Sequence, residues 1–300
     1  MPTAAPALDN SQIVSLLLNW FDPKKRPLAF RERNGLSPWA ILLSEVMAQQ
    51  TQADRAAQKW SEFLECWPTP HEMAAAPRAD IIAAWSGLGY NRRAVNLHRC
   101  AEAVVIEYDG NLPDSTAALE GLPGIGPYTA RAVMAFAFNA PTMPVDTNIA
   151  RVISRLLNRV LDRKEAQALA DELVTQTGAP SATLTDAIMD LGATICTAKA
   201  ANCGVCPLAQ PCAYRAQVEL NPFEAQDPAA KGAHRPMKQA AFNGSDRQVR
   251  GAIIRSLTTL SPMSEGELTQ LHGDKTPQLL TALAKDGLIV SLDNNLWALP

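Results

Sequence analysis

The stretch that decides the fold runs over residues 119–148 and reads LEGLPGIGPYTARAVMAFAFNAPTMPVDTN. It predicts a short helix, a turn through LPGIG and a second helix. We expect Gly124 and Gly126 to permit backbone angles that a side chain would forbid, and the amides of the turn to suit a phosphate oxygen. Two prolines then end the second helix and bring Asp146 to the start of the next one. A phosphate-binding turn and a carboxylate one helix apart indicate chemistry on a nucleic acid.

The composition limits the possible classes of protein. The chain has 300 residues, 47% of them hydrophobic and 19% charged, with a formal net charge of −3. We expect a mostly α protein of about two domains, whose basic residues form local faces rather than a uniform basic coat. No apolar run reaches the ~20 residues of a membrane span, and the first residues lack the pattern of a signal peptide. These features predict a soluble, cytoplasmic protein without a targeting signal or membrane association.

Helical periodicity divides the chain into four predicted segments. Residues 1–10 are expected to be a disordered N-terminus, 11–215 a helical domain of one or two lobes, and 216–245 a linker rich in proline and alanine. Residues 246–300 read as three helices and a hairpin, which suggests a small winged-helix-like domain. The sequence leaves open whether this domain touches DNA, packs on the helical domain or binds a partner.

Glu45 lies in the middle of a predicted helix, WAILLSEVMAQQT, that is otherwise apolar at its centre. The more common outcome for such a glutamate is exposure on the outer face of the helix. The alternative is a carboxyl group held in a partly apolar pocket, where a raised pKa suits a general acid.

Four cysteines follow the spacing C-x6-C-x2-C-x5-C, at Cys196, Cys203, Cys206 and Cys212. Four thiolates in so short a loop can coordinate a metal, because closing small loops costs little entropy. Zinc and a four-iron cluster both remain possible from the spacing, which has only one of the two knuckles of a typical zinc site. We expect the other two, Cys66 and Cys100, to be small buried hydrophobic residues.

Three separated motifs, LPGIGPYTA, VDTN and the cysteine loop, together resemble the helix-hairpin-helix DNA glycosylases of the endonuclease III superfamily. The helix segment SEVMAQQTQ is most similar to the MutY-type branch, which removes adenine opposite 8-oxoguanine. The resemblance implies a two-lobed glycosylase domain and a 4Fe-4S cluster held by the four cysteines. It also implies a monovalent cation at the hairpin turn. The implied partner is duplex DNA containing an A:8-oxoguanine or A:G mispair, bound by a monomer at the nucleoid.

The resemblance also implies roles for individual residues. Glu45 would protonate the purine, Asp146 would stabilise the sugar cation, and Tyr128 and Asn148 would orient these groups. Endonuclease III-type enzymes with lyase activity have a lysine where this chain has Tyr128, so the branch implied here is monofunctional and leaves an abasic site. The residues implied to contact DNA or the bases are Arg26, Leu28, Phe30, Arg31, Gln49, Gln50, Thr51, Tyr90, Gly124, Gly126 and Asp186. For Asp146, an N-cap of the following helix is a structural role that is compatible with catalysis.

The chain departs from the MutY pattern in two places. Asn91 stands where many adenine glycosylases have a second tyrosine that stacks beside the oxidised guanine. In addition, too few residues follow Cys212 for the usual Nudix-like lesion-reading domain. Discrimination of the lesion is therefore either weaker in this chain or carried out by other residues. The rival interpretations are a mismatch-specific thymine glycosylase and a non-catalytic sensor of DNA damage.

Overall fold

The computed structural model describes residues 9–232 and 241–300, so the predicted N-terminal residues 1–8 and the linker residues 233–240 lie outside the described residues. Helices dominate the described chain, as the sequence predicts. They are α1 (Asn10–Phe21), α2 (Pro38–Ala48), α3 (Ala53–Cys66), α4 (Pro70–Ala75), α5 (Arg78–Ala84), α6 (Arg92–Tyr108), α7 (Thr116–Gly121), α8 (Pro127–Ala137), α9 (Thr147–Leu156), α10 (Arg163–Thr177), α11 (Ser181–Thr194), α12 (Ala213–Leu220), α13 (Asp246–Leu260), α14 (Glu265–His272) and α15 (Thr276–Lys285).

Local sequence signals explain where many of these helices begin. The hydroxyl of Ser37 accepts a hydrogen bond from the backbone N–H of Ala40, 3.1 Å away, and a proline follows it at the first position of α2. Helices α4, α10 and α14 each begin with a capping box, in which the cap side chain and a glutamate three residues later satisfy each other's backbone N–H groups. These caps satisfy backbone groups that a helix end otherwise leaves without partners.

The chain divides into two units that do not follow the order of the sequence. The first unit contains the described parts of Met1–Pro27 and Pro127–Met237, and the second those of Leu28–Gly126 and Lys238–Pro300. Helices α1 and α8–α12 therefore belong to the first unit, and α2–α7 with α13–α15 belong to the second.

Each unit has its own apolar core. In the first unit, Leu17 of α1, Ile149 of α9 and Leu184 of α11 are almost fully buried in one hydrophobic cluster. In the second unit, Phe63 and Trp85 meet edge to face with ring centroids 5.7 Å apart, and both are almost fully buried. Among the described helices, none combines the length and apolar character that a membrane crossing requires.

The C-terminal segment forms the predicted three helices together with a small antiparallel sheet. Strands β1 (Met263–Ser264), β2 (Val290–Leu292) and β3 (Leu296–Ala298) pair in the order β1-β3-β2. The predicted hairpin of β2 and β3 is confirmed, and the additional strand β1 completes the winged-helix arrangement. Contacts between α13 and α5 place this segment against the helices of the second unit, which is one of the three roles that the sequence left open.

Part of the segment predicted as a linker is ordered against the first unit. Residues 213–220 form α12, and Asp227 accepts two hydrogen bonds from Arg155 on α9, at 3.1 and 2.6 Å. The chain between α12 and residue 232 therefore adds an ion pair to the face of α9.

Candidate active site

Asp146 lies at the N-cap of α9, as the sequence predicts. Its Oδ1 accepts hydrogen bonds from the backbone N–H groups of Asn148 at 2.8 Å and Ile149 at 2.7 Å. Its Oδ2 accepts one from Nδ2 of Asn148 at 2.7 Å. Burial raises the pKa of Asp146 above the ordinary aspartate value, and the three hydrogen bonds oppose that increase only in part. The carboxyl group is thus fixed in position by both oxygens, and the residue as a whole is half-buried.

A buried arginine on α9 continues the network behind Asp146. The guanidinium of Arg151 donates through Nη2 to Oδ1 of Asn148 and to the carbonyl of Gly192, both at 2.7 Å. Its Nε donates to the carbonyl of Cys196 at 2.8 Å. A side chain on Gly192 would place its Cβ 2.7 Å from the Cβ of Asn148, so the glycine permits this close approach of α11 to α9. Asn148 is therefore held on both sides, which fixes the amide that contacts Asp146.

The four predicted ligand cysteines line one cavity of the first unit, together with Arg155 and Tyr214. All four are free thiols. Burial, followed by the neighbouring cysteines, raises the pKa of Cys206 to about 11. Nη1 of Arg155 lies 3.3 Å from Sγ of Cys196. In the described part of the chain, no three His, Cys, Asp or Glu side chains form a ready metal-binding group.

The other two cysteines differ from each other. Cys100 is fully buried, as predicted, and burial raises the pKa of its thiol to about 12. The prediction for Cys66 is wrong, because this residue is exposed at the C-terminal end of α3.

Glu45 lies in the second unit on α2, and the structure decides between its two interpretations. Every residue from 39 to 47 is buried, and Glu45 itself is only 9% exposed. Exposure on an outer face, the more common outcome for such a glutamate, is therefore wrong here. Because α2 is surrounded by protein on all sides, its single acid lies in the partly apolar setting that suits a general acid.

The QQT segment directly after α2 forms a strained turn. Gln50 has a φ of +55°, in the left-handed region that residues other than glycine rarely adopt. Its side chain is exposed, whereas Gln49 and Thr51 are half-buried. The turn therefore presents one glutamine to solvent and holds its two neighbours against the protein.

Arg93 on α6 joins this turn to the Gly-rich loop at residues 87–90. Its Nη1 donates to the carbonyls of Val46, Met47 and Gln49, the last at 2.6 Å. Its Nη2 donates to the carbonyls of Leu88 and Gly89 and to the hydroxyl of Thr51, at 3.0–3.2 Å. Burial lowers the pKa of Arg93 to about 10. The sequence carries no signal for this role of Arg93, because backbone carbonyls are the same at every position of a chain.

The hairpin turn confirms one glycine prediction and corrects the other. Gly124 has a φ of +80°, and an added Cβ would lie 2.7 Å from the Cβ of Asn96. Gly126 does not have a left-handed φ, and the space beside it is open. The backbone conformation therefore requires glycine at 124 but not at 126, where an absent side chain only leaves the turn accessible.

The remaining predicted site residues fall into three groups. Leu28 and Phe30 are buried, with Phe30 edge to face against Trp60 at 6.4 Å. Arg26 donates to Asp190 on α11 through Nε at 2.5 Å, and Asp186 on the same helix is buried. The partly exposed residues are Arg31, Tyr128 on α8 and Tyr90, which has a φ of +47°.

Comparison with known proteins agrees with the motifs. Residues 43–176 match the HhH-GPD superfamily of base excision DNA repair proteins. The chain is 40% identical over 291 residues to an adenine DNA glycosylase of Mycolicibacterium smegmatis, covering 94% of both chains. It is 35% identical over 216 residues to the human adenine DNA glycosylase, covering 68% of this chain and 39% of the human one.

Solved structures show the same fold. A thermostable thymine-DNA glycosylase superposes with a TM-score of 0.63 at 27% identity, covering 69% of this chain and 97% of that one. Endonuclease III in a non-covalent complex with DNA superposes with a TM-score of 0.59 at 22% identity, covering 71% and 99%. With its hairpin, its capped acid and a relative aligned over 94% of both chains, the chain belongs to the adenine DNA glycosylase family of the HhH-GPD superfamily.

Proposed function

We propose that this protein is a monofunctional DNA glycosylase of base excision repair that removes adenine mispaired with 8-oxoguanine or guanine and leaves an abasic site. The observation that carries the substrate class is the 40% identity, over 94% of both chains, to a protein named adenine DNA glycosylase. The chemistry is supported by the two acids with different surroundings, Glu45 within a buried helix and Asp146 held at a helix cap.

In the proposed mechanism the adenine first leaves the base stack, because its reacting atoms are inaccessible inside a duplex. Glu45 donates a proton to the purine ring, so that the electrons of the N-glycosidic bond leave with a neutral base. Ionised Asp146 stabilises the positive charge that develops on the sugar. Water then adds to the sugar carbon and loses a proton, which leaves the abasic site.

Asn148 and Tyr128 act as positioning residues in this proposal. The amide of Asn148 orients Asp146 through the 2.7 Å hydrogen bond, and it is held in turn by Arg151. Tyr128 places a hydroxyl near the start of α8 and has no amine with which to form a Schiff base. This absence of an amine is the basis for the monofunctional assignment.

The proposed contacts to DNA come from residues in both units. The exposed Gln50 enters the base stack, while Gln49, Thr51 and Tyr90 surround the opposite base. The turn amides at Gly124 and Gly126 bind a phosphate with a monovalent cation. The other proposed DNA or base contacts are Arg26, Leu28, Phe30, Arg31 and Asp186.

We propose that Cys196, Cys203, Cys206 and Cys212 hold a 4Fe-4S cluster. The donor set fits, because four free thiols line one cavity and Arg155 places positive charge beside Cys196. Such a cluster would stabilise the loop that these thiols belong to. Visible absorbance with about four irons per chain would support the assignment, whereas stoichiometric zinc in a colourless protein would exclude it.

The decisive test of the proposed activity is single-turnover cleavage of three duplexes, which carry A opposite 8-oxoguanine, A opposite G, and T opposite G. We expect adenine release from the first two, and strand breaks only after hot alkali. Strand breaks without alkali would overturn the monofunctional assignment, and preferential release of thymine would support the thymine glycosylase. Binding without any base release would support the non-catalytic sensor of DNA damage.

We further propose that the protein acts as a monomer in the cytoplasm, at the nucleoid. Mass photometry can check the oligomeric state, and fluorescence imaging can check the location.

A further inference from the structure

A ladder of alternating aromatic rings and guanidinium groups runs through the second unit to its surface. It begins at the buried Trp85, whose ring centroid lies 5.0 Å from Arg93. Arg93 is 5.9 Å from the ring of Tyr90, and Arg247 lies 5.5 Å from the same ring. Arg247 in turn lies 5.3 Å from the ring of Phe242, which is 52% exposed. Arg247 belongs to α13 of the C-terminal segment, and Phe242 lies just before this helix, at the end of the predicted linker.

Arg247 also fixes the hydroxyl of Tyr90. Its Nη1 donates a hydrogen bond to Oη of Tyr90 at 2.8 Å, between residues 157 positions apart in the sequence. Tyr90 also contacts Arg93, and its backbone adopts a left-handed conformation. Two guanidinium groups and a strained backbone therefore determine the direction of this one ring.

Attachment of the C-terminal segment does not explain Arg247. The segment is already attached through the packing of α13 on α5 and through Asp286, which lies 3.7 Å from Arg92 on α6. Arg247 is the second residue of α13, where the positive end of the helix dipole disfavours a cation. Despite this cost, Arg247 makes both a hydrogen bond and a ring contact to Tyr90.

We propose that Arg247 and Phe242 are specificity-determining residues of the repair reaction. Arg247 is a positioning residue that orients Tyr90, and Phe242 provides the exposed aromatic face at the end of the ladder for the base opposite the adenine. Phe242 thereby supplies the stacking that Asn91 does not. This inference rests on the proposed function, because the opposite base is part of that substrate.

The test compares single-turnover rates and dissociation constants for A opposite 8-oxoguanine and A opposite G. We expect Arg247→Ala to lower the preference for 8-oxoguanine about tenfold, since the change removes two cation–π contacts and a hydrogen bond, with a smaller reduction for Phe242→Ala. Lys275→Ala is the matched control, because Lys275 is an exposed cation of the same segment that pairs with Asp246 at 2.9 Å. It removes the same charge without touching the ladder.

A double-mutant cycle separates positioning from general destabilisation. If Arg247 acts through Tyr90, the effects of Tyr90→Phe and Arg247→Ala on the preference for 8-oxoguanine will be strongly non-additive. Additive effects, or equal losses with both opposite bases, would overturn the inference. The wild-type protein keeps the two hypotheses distinct: if it releases no adenine from either duplex, the proposed function fails, whereas adenine release with an unchanged preference in Arg247→Ala defeats only the inference.

Discussion

The half-buried Arg93 of the second unit and the buried Arg151 and Arg155 of the first show how the same side chain serves different purposes. In the second unit, Arg93 donates hydrogen bonds to five backbone carbonyls and one hydroxyl, and burial lowers its pKa to about 10. In the first unit, Arg151 contacts the amide that holds Asp146. Arg155 pairs with Asp227, whose carboxylate raises the pKa of Arg155 despite the opposing effect of burial.

The arginines of the two units differ in the groups that they bind. Arg93 holds the backbone of two loops, so its effect is on their shape and does not require a titratable partner. Arg151 and Arg155 hold an amide, a carboxylate and a thiol, so their effect is on the charge and position of reactive groups. Changes near Arg93 are therefore expected to alter stability and recognition, and changes near Asp146 to alter chemistry and its pH dependence.

Asp146→Asn is expected to have the largest effect. The substitution should lower the single-turnover rate at least ~10²–10³-fold, because it removes the negative charge proposed to stabilise the sugar cation. Asparagine is also a good N-cap, so duplex binding should change little. Asp162→Asn is the matched control, since Asp162 caps α10 in the same way. Equal rates in the wild type and Asp146→Asn would remove Asp146 from the mechanism.

The pH dependence should follow from the raised pKa of Asp146. The proposed mechanism needs the ionised acid, so the rate should fall about tenfold per pH unit below this pKa, at a pH above the ordinary aspartate value. Because the folded state binds this proton more tightly than the unfolded chain does, the contribution of Asp146 to the free energy of unfolding should decrease as pH rises from the ordinary aspartate pKa through the raised one. A rate profile and urea titrations across pH measure both effects. An acid limb at or below the ordinary pKa would contradict the assignment.

Arg93→Ala should change stability more than chemistry. Removing the guanidinium leaves carbonyls of two loops without donors, which should lower the free energy of unfolding by about 2–3 kcal/mol and weaken binding to duplex DNA. The neighbouring Arg92→Ala is the control, because Arg92 is largely exposed and lies 3.7 Å from Asp286; it should cost less than ~1 kcal/mol. Urea unfolding of the two variants would distinguish these outcomes. Equal losses of unfolding free energy would show that the hydrogen bonds of Arg93 stabilise the fold no more than the surface contact of Arg92 does.

Gly124→Ala should have the smallest effect of the four, about 1–2 kcal/mol in unfolding free energy, from the left-handed φ and the close approach of Asn96. Gly126→Ala should leave stability nearly unchanged, because its φ is not left-handed and the neighbouring space is open. Thermal unfolding of both variants makes the comparison. A larger loss for Gly126→Ala would contradict the observed turn geometry.

Several features could be predicted because they are local. Helix starts such as Ser37–Pro38 depend on groups within four residues of one another, and the hairpin turn depends on the short run LPGIG. The N-cap role of Asp146 follows from VDTN for the same reason. Ordered motifs with fixed spacing were enough to indicate the family before any contact was known.

Other features required the fold. The burial of Glu45 depends on every element packed around α2, and the periodicity of one helix does not reveal them. The open space at Gly126 and the exposure of Cys66 likewise depend on which elements of the fold pack beside these residues.

The helices, their caps, the cysteine spacing and the family of this protein can be read from the amino-acid sequence, since each is expressed over a few neighbouring residues or an ordered set of motifs. The contacts of Arg93 with two loops and of Arg247 with Tyr90 are visible only in the folded protein. The physical reason is that such contacts join distant residues, and many of them end on backbone carbonyls, which are the same at every position of a chain.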